Sequence, residues 1–380
     1  MKYKLARWFF GAALHTFYSR VSMRGQALPS TNDPVLFIAN HCNAFIDPLL
    51  LTVGTRRYVT FTAKSTLARN PLLHLIIKAF SVELLSRQMD RKQGDNGIAH
   101  NGAALGRLQK KLLNNGAVFI FPEGRSHNDT RLHAFKKGAA RLALAYEKHC
   151  AESGLPCRLQ VVPLAITYSI KSVFRSTAQI SVGEAISIKH WVAEHPERNA
   201  STLTDYFKQR VEAELVDSEL NKHDVSHSRQ ALHTSTEPEL YELGCGESAS
   251  VPGKPLREAD FNEKALTFTR TIEKRCIGLP FAILGSIINA LPFAVTAGVV
   301  KKMSTDHDHP ASVAVVTGPL IFVLLHFMQL MLIAAVFTAP TSVGLILLYW
   351  VLLWPSTVLA LRGYDEVVGG TRSPCQSSAW

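Results

Sequence analysis

The sequence predicts an α/β fold, a mixed sheet flanked by helices, followed by a C-terminal hydrophobic membrane region. Three observations carry that prediction. Between residues 34 and 183, short apolar runs alternate with longer stretches of helical period, the pattern of a parallel or mixed sheet with packed helices. Two of those runs end directly in clusters of chemistry-bearing residues. No formal charge falls in residues 277–300 or 311–361, and the second stretch is long enough for two membrane spans of ~20 residues each.

Residues 4–18 (KLARWFFGAALHTFY) mix charge with aromatics and lack the uninterrupted apolar core of a cleaved signal peptide. We assign residues 1–25 to an N-terminal amphipathic helix, for which two readings stand. In one, Trp8, Phe9, Phe10, Leu14, Phe17 and Tyr18 enter lipid while Lys2, Lys4, Arg7, Arg20 and Arg24 meet headgroups. In the other, the helix docks on the protein's own core.

Residues 26–217 form the predicted catalytic domain. Strands are expected at 34–39 (PVLFIA), 58–62, 117–121 (AVFIF), 159–168 (LQVVPLAITY) and 178–183. Helices are expected at about 65–80, 98–114, 138–149 and 201–216, the last with Leu203, Phe207, Val211 and Leu215 on one face. Residues 218–275 read as a polar connector, partly helical. Residues 276–362 form the membrane region, and 363–380 a tail. Within the membrane region, Pro280, Asn289 and Pro292 interrupt the first uncharged stretch. Lys274 and Arg275 precede it, Lys301 and Lys302 follow it, and Arg362 and Arg372 follow the second stretch. A re-entrant or interfacial 277–300 with a transmembrane hairpin at 311–361 keeps all those cations on the cytoplasmic side. Three spans with a tolerated violation is the competing topology.

The net charge of +11 suits nucleic acid, anionic lipid or phosphorylated substrates. The apolar runs decide for lipid, and no nucleic-acid module is present, so nucleic acid is not an expected partner. The six cysteines are dispersed with no CxxC pair, which reads as reduced thiols facing the cytosol.

Asn40-His41-Cys42-Asn43-Ala44-Phe45-Ile46-Asp47-Pro48 follows the first strand. A neutral imidazole takes a proton from an alcohol near pH 7, and a carboxylate on its other nitrogen fixes the tautomer. His41 and Asp47 are the candidate pair. The sequence Asp-Pro-Leu-Leu-Leu also reads as an N-cap with proline at the first helical position. Phe121-Pro122-Glu123-Gly124-Arg125-Ser126-His127 follows the 117–121 strand. There Gly124 permits close approach, and Arg125 offers a planar donor fork for phosphate. His41 and Glu123 both lie just past strand carboxyl ends, where open α/β sheets gather ligands.

Asn-His…Asp-Pro followed by Phe-Pro-Glu-Gly, each after an apolar strand, resembles the glycerolipid acyltransferase (PlsC-type) superfamily. Val82–Arg87 (VELLSR), Val161–Tyr168 (VVPLAITY) and Ala63-Lys64 fit further blocks of that family. The resemblance covers roughly residues 30–190, with a looser likeness in the hydrophobic tail. Five residues separate His41 from Asp47 where the family usually has four. A variant branch, with fungal glycerol-3-phosphate/dihydroxyacetone-phosphate acyltransferases and bacterial relatives, is similar in its His-x-Asn-x-x-x-Asp-Pro and Glu-Gly-x-Ser-His.

The resemblance implies a membrane-bound O-acyltransferase of phospholipid biosynthesis whose catalytic domain faces the cytoplasm. His41, oriented by Asp47, would deprotonate the hydroxyl of glycerol 3-phosphate, dihydroxyacetone phosphate or lysophosphatidate. The co-substrate would be acyl-CoA or acyl carrier protein, with no other cofactor and no metal. The substrate-binding set would be Asn40, Lys64, Arg87, Glu123, Gly124, Arg125, Ser126 and Pro163. Cys42 and Ser126 need not be nucleophiles, because no acyl-enzyme is required. A different lysolipid acceptor and a non-catalytic membrane scaffold are the alternatives. A His/Asp metal hydrolase is disfavoured by the poor ligand set. His307 and His309, beside Asp306 and Asp308, read as a solvated loop.

Overall fold

A computed structural model of the chain describes residues 2–55, 57–65, 77–78, 80–85, 97–127, 129, 131–216, 258–304, 310–337 and 339–370. The expected helix at 65–80 falls mostly outside the described residues, as do Arg87 and the connector up to residue 257. The chain divides into two compact units. One is Met1–His227 with Val299–Thr317, the other Ser228–Gly298 with Gly318–Trp380.

The first unit is built on an eight-stranded mixed sheet. Its strands are β1 (Arg20–Gly25), β2 (Val35–Ala39), β3 (Val59–Lys64), β4 (Val82–Leu85), β5 (Ala117–Ile120), β6 (Gln160–Tyr168), β7 (Thr177–Val182) and β8 (Ile186–Ser187). They run in the order β1-β7-β6-β2-β5-β3-β4, with β8 paired to β6. The β6–β7 and β6–β8 pairs are antiparallel; every other pair is parallel. β2 lies in the middle, between β6 and β5, and all five of its residues are buried. That explains its unbroken apolar run, since a strand covered on both faces has no solvent side to mark with polar residues.

Successive side chains alternate between the two faces. Val35, Phe37 and Ala39 join Phe61, Phe119, Val162 and Leu164 in one core, covered by α1 (Lys2–Phe17) and α2 (Ile46–Gly54). Leu36 and Ile38 join Val118, Ile120 and Val161 in the other. That face is covered by α3 (Gly97–Leu113), α4 (Gly138–Glu152), α5 (Ile188–Glu194) and α6 (Ala200–Val216).

The N-terminal helix packs one face on the protein's own core. Phe10, Ala13, Leu14 and Phe17, spaced as one helical stripe, are buried in the protein's own core with Tyr18. These residues do not meet lipid. The opposite stripe leaves Leu5 66% and Trp8 71% exposed. β1, which the sequence reading missed, extends the sheet through parallel pairing with β7. Arg57 is buried, and its guanidinium donates to the carbonyls of Ser30, Thr31 and Asp33 at 3.0–3.2 Å. It thereby ties down the loop that enters β2.

The hydrophobic region holds α7 (Glu258–Met303), α8 (Pro310–Val336) and α9 (Ala339–Gly370). Three segments, Pro280–Met303, Pro310–Val336 and Thr341–Leu361, are long and apolar enough to cross a membrane. Residues 277–300 lie within one continuous helix, without the break that a re-entrant reading expects. The polar residue that argued against a simple span has a partner: Asn289 donates to Gly285 O at 2.7 Å and to Thr357 Oγ1 at 3.0 Å. Helix α9 passes so near Gly285 that a Cβ there would lie 2.1 Å from the Ser356 carbonyl oxygen. Small residues permit such close helix contacts in membranes. The expected boundary at residue 276 also shifts. Ala311, Val315 and Val316, in the first turns of α8, belong to the α1/α2 core of the first unit, and α9 runs on to Gly370, inside the expected tail.

Candidate active site

Strand register places the two clusters side by side. β2 and β5 are parallel neighbours with Ile38 opposite Ile120, so His41 and Glu123 each stand three residues beyond a matched pair. The Glu123 side chain is fully buried. Its Oε1 accepts the His41 backbone N–H at 2.8 Å. Its Oε2 accepts the His133 backbone N–H at 2.9 Å and a contact from His127 Nε2. The His41 carbonyl in turn accepts the His127 N–H at 3.2 Å. Glu123 therefore anchors the backbone of His41.

The His41 ring lies against Phe121, with centroids 4.0 Å apart and planes 17° from parallel. His41 Nδ1 is 2.9 Å from Asp47 Oδ2. The same oxygen accepts the backbone N–H groups of Cys42 and Asn43, both at 2.8 Å. Tyr168 donates its phenolic proton to Asp47 Oδ1 at 2.5 Å. With both of its oxygens accepting from other donors, Asp47 meets the imidazole as an acceptor at Nδ1, which leaves Nε2 as the ring nitrogen facing away from the carboxylate. No hydrogen bond occupies Nε2 among the described residues.

The N-cap expectation for Asp47 is corrected. Helix α2 begins at Ile46 with Phe45 at the cap position, and Asp47 sits inside the first turn. Its buried carboxylate satisfies amides of the preceding loop instead of those of the helix. The extra residue between His41 and Asp47 is absorbed by this loop, where both Ile46 N and Asp47 N donate to Asn43 O. The His–Asp contact survives the longer spacing.

The other expected residues fall into three groups. Asn40 is buried and committed to the sheet: its amide donates to Ile166 O at 2.9 Å and accepts from Ile166 N at 2.7 Å. It stitches β2 to β6, a use different from the expected substrate contact. Pro163 is likewise buried within β6, opposite Ile38, and its carbonyl accepts from Gly183 N at 2.9 Å. Its structural contacts are those of the sheet, a use different from the expected pocket contact. Gly124, Arg125 and Ser126 follow Glu123 directly. Gly124 has φ +73°, and a Cβ there would lie 2.7 Å from Lys136 Nζ, so glycine suits both the backbone and the space. Arg125 is exposed, with Nη2 3.3 Å from His133 Nδ1. Ser126 is half-buried. Lys64 ends β3, the strand beside β5, and is half-buried.

Sequence reasoning missed Tyr168, Tyr18 and the His127–His133 pair. A tyrosine closing an apolar strand was the available signal for Tyr168, because a buried phenol needs a polar partner. Glu123, His127 and His133 bring ligand-type atoms within 4.8 Å of one another. The two rings stack with centroids 3.8 Å apart and planes only 6° from parallel. Face-to-face imidazoles carry their lone pairs in separate layers, which do not converge on one ion. This cluster works as a hydrogen-bonded knot that also draws in Asp129, 2.5 Å from His133 Nε2.

Cys42 offers no nucleophile. Burial and the Asp47 charge push its thiol well above the usual range, whereas reactive cysteines sit exposed in electropositive surroundings.

Comparison with known proteins finds likenesses to one family. Residues 8–167 match the acyltransferase family. The chloroplastic 1-acyl-sn-glycerol-3-phosphate acyltransferase of Arabidopsis thaliana is 30% identical over 141 residues, which is 37% of this chain and 36% of that protein. The glycerol-3-phosphate O-acyltransferase of Saccharomyces cerevisiae is 22% identical over 287 residues, covering 53% of this chain and 37% of its own length. The chain thus spans little more than a third of the length of these relatives. The crystal structure of the 1-acyl-sn-glycerophosphate acyltransferase of Thermotoga maritima aligns at 19% identity with a TM-score of 0.41, over 56% of this chain and 78% of that one.

Proposed function

From the match of residues 8–167 to the acyltransferase family and the likeness to glycerolipid acyltransferases, we propose that this chain is a glycerolipid acyltransferase that transfers a fatty acyl group from acyl-CoA or acyl carrier protein to a hydroxyl of a glycerol-phosphate acceptor. The acceptor would be glycerol 3-phosphate, dihydroxyacetone phosphate or lysophosphatidate. The observation that carries this reading is His41 Nδ1 at 2.9 Å from a buried Asp47, with the His41 backbone anchored by Glu123.

In the proposed reaction, His41 Nε2 takes the acceptor's hydroxyl proton as the oxygen attacks the thioester carbonyl. The tetrahedral adduct collapses by breaking the carbon–sulfur bond. The thiolate leaves and takes up the proton from the imidazolium, which returns His41 to its starting state. Asp47 compensates the transient positive charge. No acyl-enzyme forms, in keeping with the buried and weakly acidic Cys42. Because the thioester is already activated, a base and correct placement supply most of what the step needs. Arg125 and Lys136, at the Gly124 turn, supply positive charge for the acceptor's phosphate. Lys64 and Arg87 remain candidates for the same task.

The apolar helices would hold the enzyme in the bilayer where its acyl product resides. Lys301 and Lys302 belong to the same unit as the catalytic residues, which favours a cytoplasmic face for both.

The test is transfer of radiolabelled acyl from acyl-CoA or acyl carrier protein to each of the three acceptors, in detergent or liposomes, beside His41→Ala. Activity with one acceptor, lowered ~10²–10⁴-fold in the variant, supports the proposal. Activity unchanged by His41→Ala would sink the mechanism.

A further inference from the structure

The Asp47 carboxylate is unevenly served. Three donors converge on Oδ2: His41 Nδ1, Cys42 N and Asn43 N. Among the described residues, Oδ1 has one hydrogen-bond partner, the hydroxyl of Tyr168 at 2.5 Å. Bonds to a single oxygen leave the carboxylate free to swing about that oxygen. The bond on Oδ1 fixes its plane, and with it the direction in which Oδ2 meets the imidazole.

Tyr168 is well placed for this. It ends β6, the strand hydrogen-bonded to β2, and so reaches the catalytic loop from the neighbouring strand. Its ring is braced by Tyr18, with centroids 5.6 Å apart. Tyr18 OH donates to Lys171 O at 3.0 Å and accepts from Asn43 Nδ2 at 3.2 Å, holding the far side of the same loop. Burial and the Asp47 charge push the Tyr168 phenol well above its usual range, so it stays a donor wherever the enzyme works. The local sequence makes the contact matter. With five residues between His41 and Asp47, the aspartate lies within the first turn of α2, and its side chain reaches back over the loop with one oxygen only.

We propose that Tyr168 is a positioning residue for acyl transfer, orienting the His41–Asp47 pair through Oδ1 of the carboxylate. The inference rests on His41 being the base.

The test is a double-mutant cycle of Tyr168→Phe and Asp47→Asn in the detergent-solubilised full chain. Tyr168→Phe is expected to lower kcat about 10- to 100-fold while KM for both substrates stays within about twofold. Added to Asp47→Asn, it costs less than about twofold, because the oxygen it orients no longer carries the charge. A pH profile decides the case if Asp47→Asn falls below detection. The phenol draws charge from Asp47, which is also faced by Tyr18 and Cys42, with Lys171 and Glu123 nearby. Without the phenol the carboxylate holds the imidazolium harder, and the acid limb of kcat/KM moves to higher pH. Independent losses in the cycle, or a Tyr168→Phe profile that superimposes on the wild type's, would overturn the role of Tyr168 alone. A wild type inactive with every donor and acceptor would overturn the acyl-transfer reading and this inference with it.

Discussion

Glu123→Gln is a sharp probe of how the base is held. The carboxylate accepts two backbone N–H groups, from His41 and His133, on different oxygens. Glutamine keeps the shape but has one acceptor oxygen. Whichever way its amide turns, one of the two backbone donors is left facing an NH2 group in a site where the side chain is fully buried. A buried donor without a partner costs about 1–3 kcal/mol, so the denaturation midpoint falls in either orientation. The amide favours giving its oxygen to one donor, and when the loser is His41 its ring shifts. A misplacement of ~1 Å at a catalytic group lowers the rate about 10²-fold. The assay pairs chemical denaturation in detergent with kcat for acyl transfer. The expected result is lower stability in either orientation, with kcat down ten- to a hundredfold where the amide NH2 faces His41 and KM for the acyl donor little changed. A variant with wild-type stability and wild-type kcat would refute the claim that Glu123 anchors the base.

Three further outcomes are expected. The buried phenols of Tyr18 and Tyr168 are both pushed above their usual value of 10.0. Above that pH the unfolded chain sheds these protons while the folded chain keeps them, so the folded state binds more protons and stability falls as pH rises. Each contributes a slope of up to about 1.4 kcal/mol per pH unit, and stability measured from pH 9 to 11 should lose one such share in Tyr168→Phe; an unchanged slope would count against a buried, protonated phenol. Cys42, buried and raised in the same way, should resist maleimide in the folded enzyme at neutral pH, and Cys42→Ala should keep activity within about threefold; abolished activity would point to an acyl-enzyme. Val315→Ser should destabilise the catalytic unit by about 2–3 kcal/mol, the worth of a buried valine side chain, whereas a membrane-facing valine would tolerate the change in detergent.

The legible parts of this fold were those where one local rule and the tertiary structure agree. β2 and β5 announce themselves because burial on both faces demands apolar residues throughout. β1 (RVSMRG) did not, since an edge strand with exposed arginines reads like the connector between a helix and the sheet. The stripe at Phe10, Leu14 and Phe17 was visible as a stripe. An apolar face looks the same whether lipid or protein covers it, so its partner was not visible. The same degeneracy hid the start of α8, where Ala311, Val315 and Val316 look like membrane sequence and serve as core.

The site divides along a similar line. His41, Asp47 and Glu123 stood out in the sequence because each lies in a short polar segment that follows a strand, but the structure commits Glu123 to the His41 and His133 amides where the sequence reading expected a substrate contact. What completes them is distant in sequence. Tyr168 lies 121 positions from the carboxylate it contacts, and Ile166 lies 126 positions from Asn40. No periodicity encodes such pairs; they arise from the register of β6 against β2. The first turn of α8 extends the same logic. Ser312 Oγ accepts the backbone N–H of Phe45 at 3.1 Å, and Phe45 is the residue from which α2 starts. The loop that carries His41 and Asp47 is therefore fixed at three places: by the segment after β5 through Glu123, by β6 through Tyr168 and Asn40, and by the beginning of α8 through Ser312. A segment that reads as a membrane anchor thus touches the loop that carries His41. Cutting the chain at residue 276 would remove part of the first unit along with the apolar helices.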